Sequence, residues 1–308
     1  MPTTYAHYRY GEMVYTNLPQ NLKEIINNNR QLYDIGVHGP DILFYHHPFP
    51  KDDIFLIGAN MHDHSAKDFF TKAKDIYLKR GKRNDDLAYL LGFLAHFSLD
   101  SATHSYIERK DELSNASHFK IEAEFDRFLM IEDHKDPLKV NTVAHLFPTK
   151  KNSEIIASYF PIDDSLMYKT LKRMKFLLKL LEVHSPIKRF LFKTVTGIAH
   201  ASSFMDMTFY KDEDPLCKDS NLRLLKLMNK AAPSFNELAL SLISFLNNEG
   251  ELIAPFNETF AYHEGYKDIP ILSYEEELNY HIWKLVLYIE TCCNYLCLLG
   301  LISYLTRC

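Results

Sequence analysis

Two histidine–carboxylate pairs with the same four-residue spacing lie on two consecutive helices that the apolar periodicity predicts. The first pair is His96 and Asp100, and the second is His118 and Glu122. Residues four apart share one face of a helix, so each pair can close on one metal ion or on two neighbouring ions. An imidazole and a carboxylate are costly to bury unless they are paired or bind a metal. The fold must therefore provide partners for these polar groups.

His104 lies one helical turn beyond Asp100 and extends the same row. A single pair is weak evidence, because a histidine bonded to a buried carboxylate satisfies both groups without metal. Two pairs and His104 within 27 residues favour a metal site. Imidazole and carboxylate ligands favour zinc, with manganese and iron as alternatives. A di-iron bundle is the nearest competitor, but it uses Glu-x-x-His pairs, and the order here is reversed.

The rest of the chain is also predicted to be helical. Only 10 Gly and 13 Pro occur in 308 residues, which disfavours a β-sandwich with many turns. Helices are predicted over Tyr5–Tyr15, Ala66–Arg80, Leu87–Ile107, Ser117–Met130, Ser165–Glu182, Pro186–Ala201, Ser220–Asn248 and Tyr274–Leu305. Loops are predicted around Pro48–Asp53, Asp133–Pro148 and Lys211–Cys217. We expect one domain over residues 1–308, with a metal-binding catalytic core in 1–145 and a helical remainder of unassigned role in 146–308.

The net charge and the positions of the histidines and cysteines restrict the range of possible functions further. Of the 15 histidines, 11 lie at or before His145, which points to the N-terminal half as the chemical part of the chain. The net charge of -5 gives no electrostatic footprint for duplex nucleic acid, so a nucleic-acid partner is not expected. The five cysteines follow no zinc-ribbon or disulfide spacing and are predicted to be reduced thiols.

Neither end of the chain predicts a membrane span. Met1–Tyr5 lacks a basic region followed by an apolar run, so no secretory signal is visible and a cytoplasmic location is predicted. Leu285–Leu305 is strongly apolar, but Glu290 and Asn294 interrupt it, and the remaining run is too short to span a bilayer. We expect a buried core helix there, with an interfacial helix on a membrane as the alternative.

The motifs together resemble those of the zinc-dependent phospholipases C, whose helical fold is shared with fungal single-strand nucleases. The resemblance extends from about Met1 to Met130. It is carried by Tyr5-Ala6-His7, Gly39-Pro40-Asp41, a histidine some 20 residues later, His96-x-x-x-Asp100 and His118-x-x-x-Glu122. It implies an all-α, compact multi-helix domain of this phospholipase type, with a C-terminal helical extension.

The resemblance also implies three metal positions, and hence two to three zinc ions. The first position would be held by Asp41, His62, His96 and Asp100. The second would be held by His104, His118 and Glu122. The third would be held by His7, the other oxygen of Asp100 and the N-terminal amine. In-line hydrolysis of a phosphodiester is the expected reaction, in which Asp41 or Glu122 would orient the water or accept its proton.

The sequence departs from the family pattern at three points. The relatives use the amine of an N-terminal Trp, whereas the single Trp here is Trp283, and Pro2 would offer the amine if Met1 were removed. His104 follows Asp100 by four residues, where six is usual. His62 is preferred to His64 as a ligand, because an apolar approach precedes it.

The leading functional hypothesis is a phospholipase C-like phosphodiesterase acting on a phospholipid or a related phosphate ester. Contact with a membrane surface is compatible with that substrate, and no protein partner is evident. A single-strand nuclease on the same scaffold is the first alternative, although it needs an aromatic platform and a cationic groove. A metal-binding protein without catalysis is the second alternative.

Overall fold

The computed structural model describes residues 4–48, 51–199 and 201–279. Within these ranges the chain forms helices and no named β-strand, which confirms the all-α prediction. The α-helices are α1 Thr4–Thr16, α2 Gln20–Asn28, α3 Arg30–Gly36, α4 Asp53–Asp63, α5 Ala66–Lys79, α6 Asn84–Leu113, α7 His118–Glu132, α8 Lys150–Ala157, α9 Asp164–Leu181, α10 Pro186–Ile198, α11 Lys218–Ala231 and α12 Phe235–Leu246. A 3₁₀ helix, Gly39–Tyr45, follows α3.

The chain divides into two compact units, Met1–Ile269 and Pro270–Cys308. All the predicted metal ligands belong to the first unit. The expectation of one domain with a core ending at residue 145 stays a prediction. The apolar stretch Leu285–Leu305, Trp283 and the four C-terminal cysteines lie outside the described residues. In the described part, no helix is long and apolar enough to cross a membrane, and Cys217 is buried as a free thiol.

The 30-residue helix α6 forms the centre of the first unit. Every residue from Asp86 to Asp100 on it is buried, which is typical of a helix that is apolar on all sides. Helix α3 packs against it backbone to backbone: a Cβ on Gly92 would lie 2.3 Å from the carbonyl oxygen of Tyr33. A Cβ on Gly36 would lie 2.5 Å from the carbonyl oxygen of Tyr89. This close approach fixes the part of α6 that lies one turn before His96.

Helix caps position the two elements that pack on α6. The hydroxyl of Ser117 accepts a hydrogen bond from the backbone N–H of Lys120, so α7 begins at His118. The carboxylate of Asp126, on α7, accepts hydrogen bonds from the backbone N–H groups of Tyr5 and Ala6 at 3.1 and 2.8 Å. This pair of bonds ties the first turn of α1 to α7 and places His7 beside α6.

Some predicted boundaries are wrong for identifiable reasons. The single helix predicted over Ser220–Asn248 is two helices, because Pro233 has no N–H to donate and a 3₁₀ turn replaces the α-helical ladder there. Helices α2, α3, α4 and α8 are missing from the prediction, since stretches of 7 to 11 residues carry little periodic signal. The loop predicted around Pro48–Asp53 ends where α4 begins, and the side chain of Asp52 caps that helix.

The glycine contact between α3 and α6 gives a stability prediction. Gly92→Ala should lower the free energy of unfolding by about 2 kcal/mol, because the added methyl group forces two backbones apart. Gly197→Ala is the matched control: it lies in α10, where an added methyl group would have nothing within 4 Å, so its stability should stay the same or rise. Urea unfolding of both variants measures the difference. Equal stabilities would contradict the close-packed interface.

Candidate metal centre

The structure brings all eight predicted site residues into one region around the middle of α6, where five of them are buried and His62, His104 and His118 are half-buried. The nitrogen Nε2 of His62 lies 3.0 Å from Oδ1 of Asp41, and these two residues and His96 offer ligand atoms within 4.8 Å of one another. Asp100 approaches the same group, with Oδ2 at 2.9 Å from Nε2 of His96 and at 3.8 Å from that of His62. These are the four residues implied for the first metal position.

A second group is formed between α6 and the first turn of α7. The ligand atoms of His104, His118 and Glu122 also lie within 4.8 Å of one another. Oε1 of Glu122 is 3.5 Å from Nε2 of His104 and 3.2 Å from Nε2 of His118. The four-residue step from Asp100 to His104, where the relatives have six, therefore still places this imidazole in the group.

The third group contains His7, His96 and Asp100. Asp100 presents its two oxygens to different histidines: Oδ1 lies 3.3 Å from Nε2 of His7, whereas Oδ2 faces His96, His62 and His104. This geometry is compatible with a bridging carboxylate. The N-terminal amine that the resemblance implies for this position lies outside the described residues.

The glycine of the Gly39-Pro40-Asp41 motif has a steric role. Gly39 adopts a φ of +48°, and a Cβ on it would lie 2.2 Å from Cδ2 of the His96 ring. A side chain is therefore excluded by both the backbone conformation and the imidazole that packs on it. The same turn places Asp41 in the first turn of the 3₁₀ helix, opposite His62.

Backbone carbonyls orient two of the histidine rings. Nδ1 of His62 lies 2.8 Å from the carbonyl oxygen of Gly58, and Nδ1 of His104 lies 2.6 Å from that of Phe260. When Nδ1 donates to these oxygens, the lone pair of Nε2 faces the centre, as in many protein metal sites. His64 is exposed, bonds to the carbonyl of Asn60 and belongs to none of the groups.

Several buried polar atoms of this region make no hydrogen bond of acceptable geometry within the described chain, although Nε2 of His96 and Oδ2 of Asp100 are only 2.9 Å apart. They are Nδ1 of His7, both ring nitrogens of His96 and Oδ2 of Asp100. Leaving such atoms without partners is costly, and a metal ion would satisfy the lone pairs of His96 and Asp100. A void of about 10 Å³, roughly one water molecule in size, lies between His7, Asp100, His104 and Glu122. The donor types and the space fit zinc.

Asp100 and His96 already have the charges of metal ligands at neutral pH. Burial raises the pKa of Asp100, but His104, His96 and His7 outweigh it and hold that pKa well below the ordinary value. Burial lowers the pKa of His96 and favours its neutral form. A carboxylate ionised at neutral pH and a neutral imidazole are the forms that bind a divalent cation.

Glu108 is a site residue that the sequence prediction missed. It lies four residues after His104 on α6, and its Oε2 is 3.7 Å from Nδ1 of His118. The sequence does contain a signal for Glu108, because this residue extends the four-residue spacing of His96, Asp100 and His104 by one helical turn. Glu108 borders a cleft of about 280 Å³ that opens on the centre. The other residues that line the cleft are Asp41, Phe44, Phe55, Ala59, His62, His104, His118, Phe119, Ala261 and Tyr262.

A fourth histidine–carboxylate group lies apart from the centre. His46, His47 and Asp52 have ligand atoms within 4.8 Å of one another. The carboxylate of Asp52 is already used, since Oδ1 accepts the N–H of Phe55 and Oδ2 lies 2.6 Å from Nδ1 of His46. These contacts explain the group as a helix cap whose carboxylate also forms a hydrogen bond with a histidine.

Comparison with known proteins agrees with this geometry. The family described as zinc dependent phospholipase C matches residues 6–173, which is more than half of the chain. The match extends beyond Met130, where the motifs quoted from the sequence end. No curated protein and no solved structure matches the chain.

Removal of the Asp100 carboxylate should empty most of the centre. Asp100→Ala is expected to lose most of the bound zinc, because this residue contacts four of the histidines. Elemental analysis of the purified protein gives zinc per chain. Asp86→Asn is the control on the same helix: Asp86 is buried, but it bonds to Arg80 and Tyr159 and should leave the zinc content unchanged. An unchanged content in Asp100→Ala would contradict the assignment.

Zinc affinity should rise with pH up to about 9. Burial disfavours the charged form of His118, but Glu122 and Glu108 outweigh it and raise its pKa to about 9. Zinc must displace this proton, so binding at neutral pH should release it, and competition with a chelator should show tighter binding as the pH rises. In the metal-free protein the raised pKa stabilises the fold below the ordinary histidine range, and this contribution is lost as the pH passes about 9. His118→Ala should flatten the pH dependence.

Proposed function

Because this chain belongs to the zinc-dependent phospholipase C family, we propose that it is a zinc-dependent phosphodiester hydrolase that acts on a phospholipid or a related phosphate ester. The observation that carries the proposal is the cleft that opens directly on the donor cluster. A structural metal site is closed, whereas a catalytic site keeps an open side for water and substrate. Asp41, His62, His104 and His118 all border the cleft, so the centre has such a side.

The shape and lining of the cleft suit a small phosphate ester. Its volume of about 280 Å³ is at the lower end for ligand pockets, which favours the polar headgroup region of a substrate over a bulky ligand. Candidate metal ligands make up one part of its lining. Another part is aromatic, with Phe44, Phe55, Phe119 and Tyr262.

The eight site residues would hold two to three zinc ions. Zinc bound there would polarise the phosphoryl oxygens and lower the pKa of a bound water. The protein residues supply rigid positions for these ligands, since most of them lie on α6 and α7 and two have their rings fixed by backbone carbonyls. His7 lies on α1, which Asp126 ties to α7.

Asp41 and Glu122 take different roles in the proposal. Asp41 borders the cleft, so it can accept a proton from a water that faces the substrate. Glu122 is 1% exposed and borders the internal void but not the cleft. We therefore assign proton acceptance to Asp41 in addition to ligation, and ligation alone to Glu122.

The test is the release of phosphorylated headgroup from phospholipid by the zinc-loaded protein. A chelator should abolish the release and added zinc should restore it. Asp41→Asn should lower kcat by about 100-fold or more, in the range expected for loss of a general base, while the zinc of the His104, His118 and Glu122 group stays bound. Asp75→Asn removes an exposed carboxylate on α5 and should leave the rate unchanged.

Two outcomes would contradict the proposal. Cleavage of single-stranded oligonucleotide without headgroup release would identify a nuclease. Bound zinc with neither activity would identify a metal-binding protein without catalysis.

A further inference from the structure

Helix α10 turns its apolar face outward. At about 100° per residue, five apolar side chains of this helix fall within an arc of about 140°, and all are between 56% and 78% exposed. They are Ile187, Phe190, Leu191, Val195 and Ile198. The one buried residue of the helix is Thr196, on the opposite side. An amphipathic helix of a globular protein normally buries its apolar side. The exposure of this face therefore indicates that it is a contact surface for another molecule.

Helices α9 and α10 are basic, although the chain as a whole carries a net charge of -5. From Asp164 to Ile198 there are eight Lys and Arg residues and two acidic residues, Asp164 and Glu182. On α9, the exposed Lys169, Lys172 and Lys179 share a helix surface with exposed Phe176 and Leu180. Apolar and cationic groups therefore occur together on two consecutive helices.

The inward side of α10 is fastened by polar contacts. The guanidinium of Arg189 donates to the hydroxyl of Thr208 at 3.2 Å and to the carbonyl oxygen of Val183 at 3.3 Å, and it lies 3.9 Å from the ring centroid of Tyr210. Lys188 donates to the carbonyl oxygen of Glu182 at 2.7 Å. These contacts hold the helix in one orientation, with the apolar residues pointing away from the body.

The same contacts connect α10 with the element that carries the second metal group. Tyr210 lies between Arg189 and Lys120, whose ammonium is 5.5 Å from the Tyr210 ring centroid. Lys120 is in the first turn of α7, two residues after His118. The apolar face is therefore held in a defined position relative to α7.

Charge complementarity favours a membrane over a second copy of the chain as the partner that covers this face. A second copy of the chain would bring two sets of lysines together, and like charges at an interface are costly. An anionic bilayer offers an apolar interior for the five side chains and negative headgroups for the lysines. With 13 residues, α10 is too short to span a bilayer and would lie in its surface.

We infer that α10 docks this protein on anionic phospholipid bilayers, with its five exposed apolar side chains inserted and the exposed Lys169, Lys172 and Lys193 on the headgroups. The inserted side chains are Ile187, Phe190, Leu191, Val195 and Ile198. The choice of a lipid occupant rests in part on the proposed function. The apolar face of α10 lies outside the family match, which ends at residue 173, before α10 begins.

Flotation of the full zinc-loaded chain with vesicles tests the apolar part of this surface. The protein should bind vesicles of phosphatidylcholine containing about one-third phosphatidylserine and bind weakly to phosphatidylcholine alone. Phe190→Gln combined with Leu191→Gln should lower the partition coefficient by about tenfold or more. Leu113→Gln combined with Leu240→Gln changes two leucines of similar exposure on α6 and α12 and should leave binding unchanged.

A second variant and its matched control test the role of the lysines. Lys172→Glu combined with Lys193→Glu should weaken binding to the anionic vesicles by about tenfold or more. Lys67→Glu combined with Lys230→Glu makes the same change in net charge at exposed positions elsewhere and should have a much smaller effect.

Three results would overturn the inference. The first is equal vesicle binding by the wild type and the α10 variant. The second is an α10-dependent dimer in sedimentation that does not bind vesicles. The third is a thermal unfolding midpoint that falls much further for the α10 variant than for its leucine control, since that result would mean that the face is buried within the protein.

Measuring lipid hydrolysis distinguishes a failure of this inference from a failure of the proposed function. Hydrolysis of a short-chain phospholipid below its micelle concentration should be the same for the wild type and the α10 variant, while hydrolysis of vesicle lipid should fall in the variant. Vesicle binding without hydrolysis of either substrate would refute the phosphodiesterase and support the docking surface. Hydrolysis of the soluble lipid without vesicle binding would refute the docking surface alone.

Discussion

The burial of Asp100 among histidines is the constraint on which the rest of the structure depends. Asp100 is 2% exposed at the end of a buried and mostly apolar stretch of α6, where an isolated charge would be very costly. His7, His96, His62 and His104 surround it, and they come from α1, α4 and α6. Each neighbouring element therefore supplies a compensating group as well as apolar surface. When these elements pack to form the core, they also bring the candidate metal ligands together.

The precision of the site follows from helix packing. Backbone contact between Gly36 and Gly92 leaves α3 and α6 no room to shift, and Gly39 leaves space for one imidazole. The carbonyl oxygens of Gly58 and Phe260 then fix the rings of His62 and His104. Ligands held on rigid elements in this way need little reorganisation when a metal binds, whereas ligands on loops would have to be ordered first.

The sequence predicted what local spacing encodes. Four-residue steps placed His96, Asp100 and His104 on one face of α6, and Gly and Pro usage excluded a β-sandwich. The family resemblance supplied His7 and Asp41, which come from separate segments. Long-range contacts could not be read in this way: the carbonyl of Phe260 is 156 residues from His104, and Tyr5 is 121 residues from Asp126. The helix break at Pro233 was readable, since proline lacks the N–H that a continuous helix needs.

The exposure of the apolar face of α10 is enforced by the polar contacts on its other side. If the helix rotated by half a turn, Ile187 and Leu191 would be buried, but the guanidinium of Arg189 would leave the hydroxyl of Thr208 and the ring of Tyr210. The carbonyl oxygens of Val183 and Phe209 would lose their donor in the same step. Unsatisfied polar groups at this junction would offset much of the gain from apolar burial. The outward orientation is therefore a property of how α10 is anchored, and the same anchor, through Tyr210 and Lys120, leads to the helix that carries His118 and Glu122.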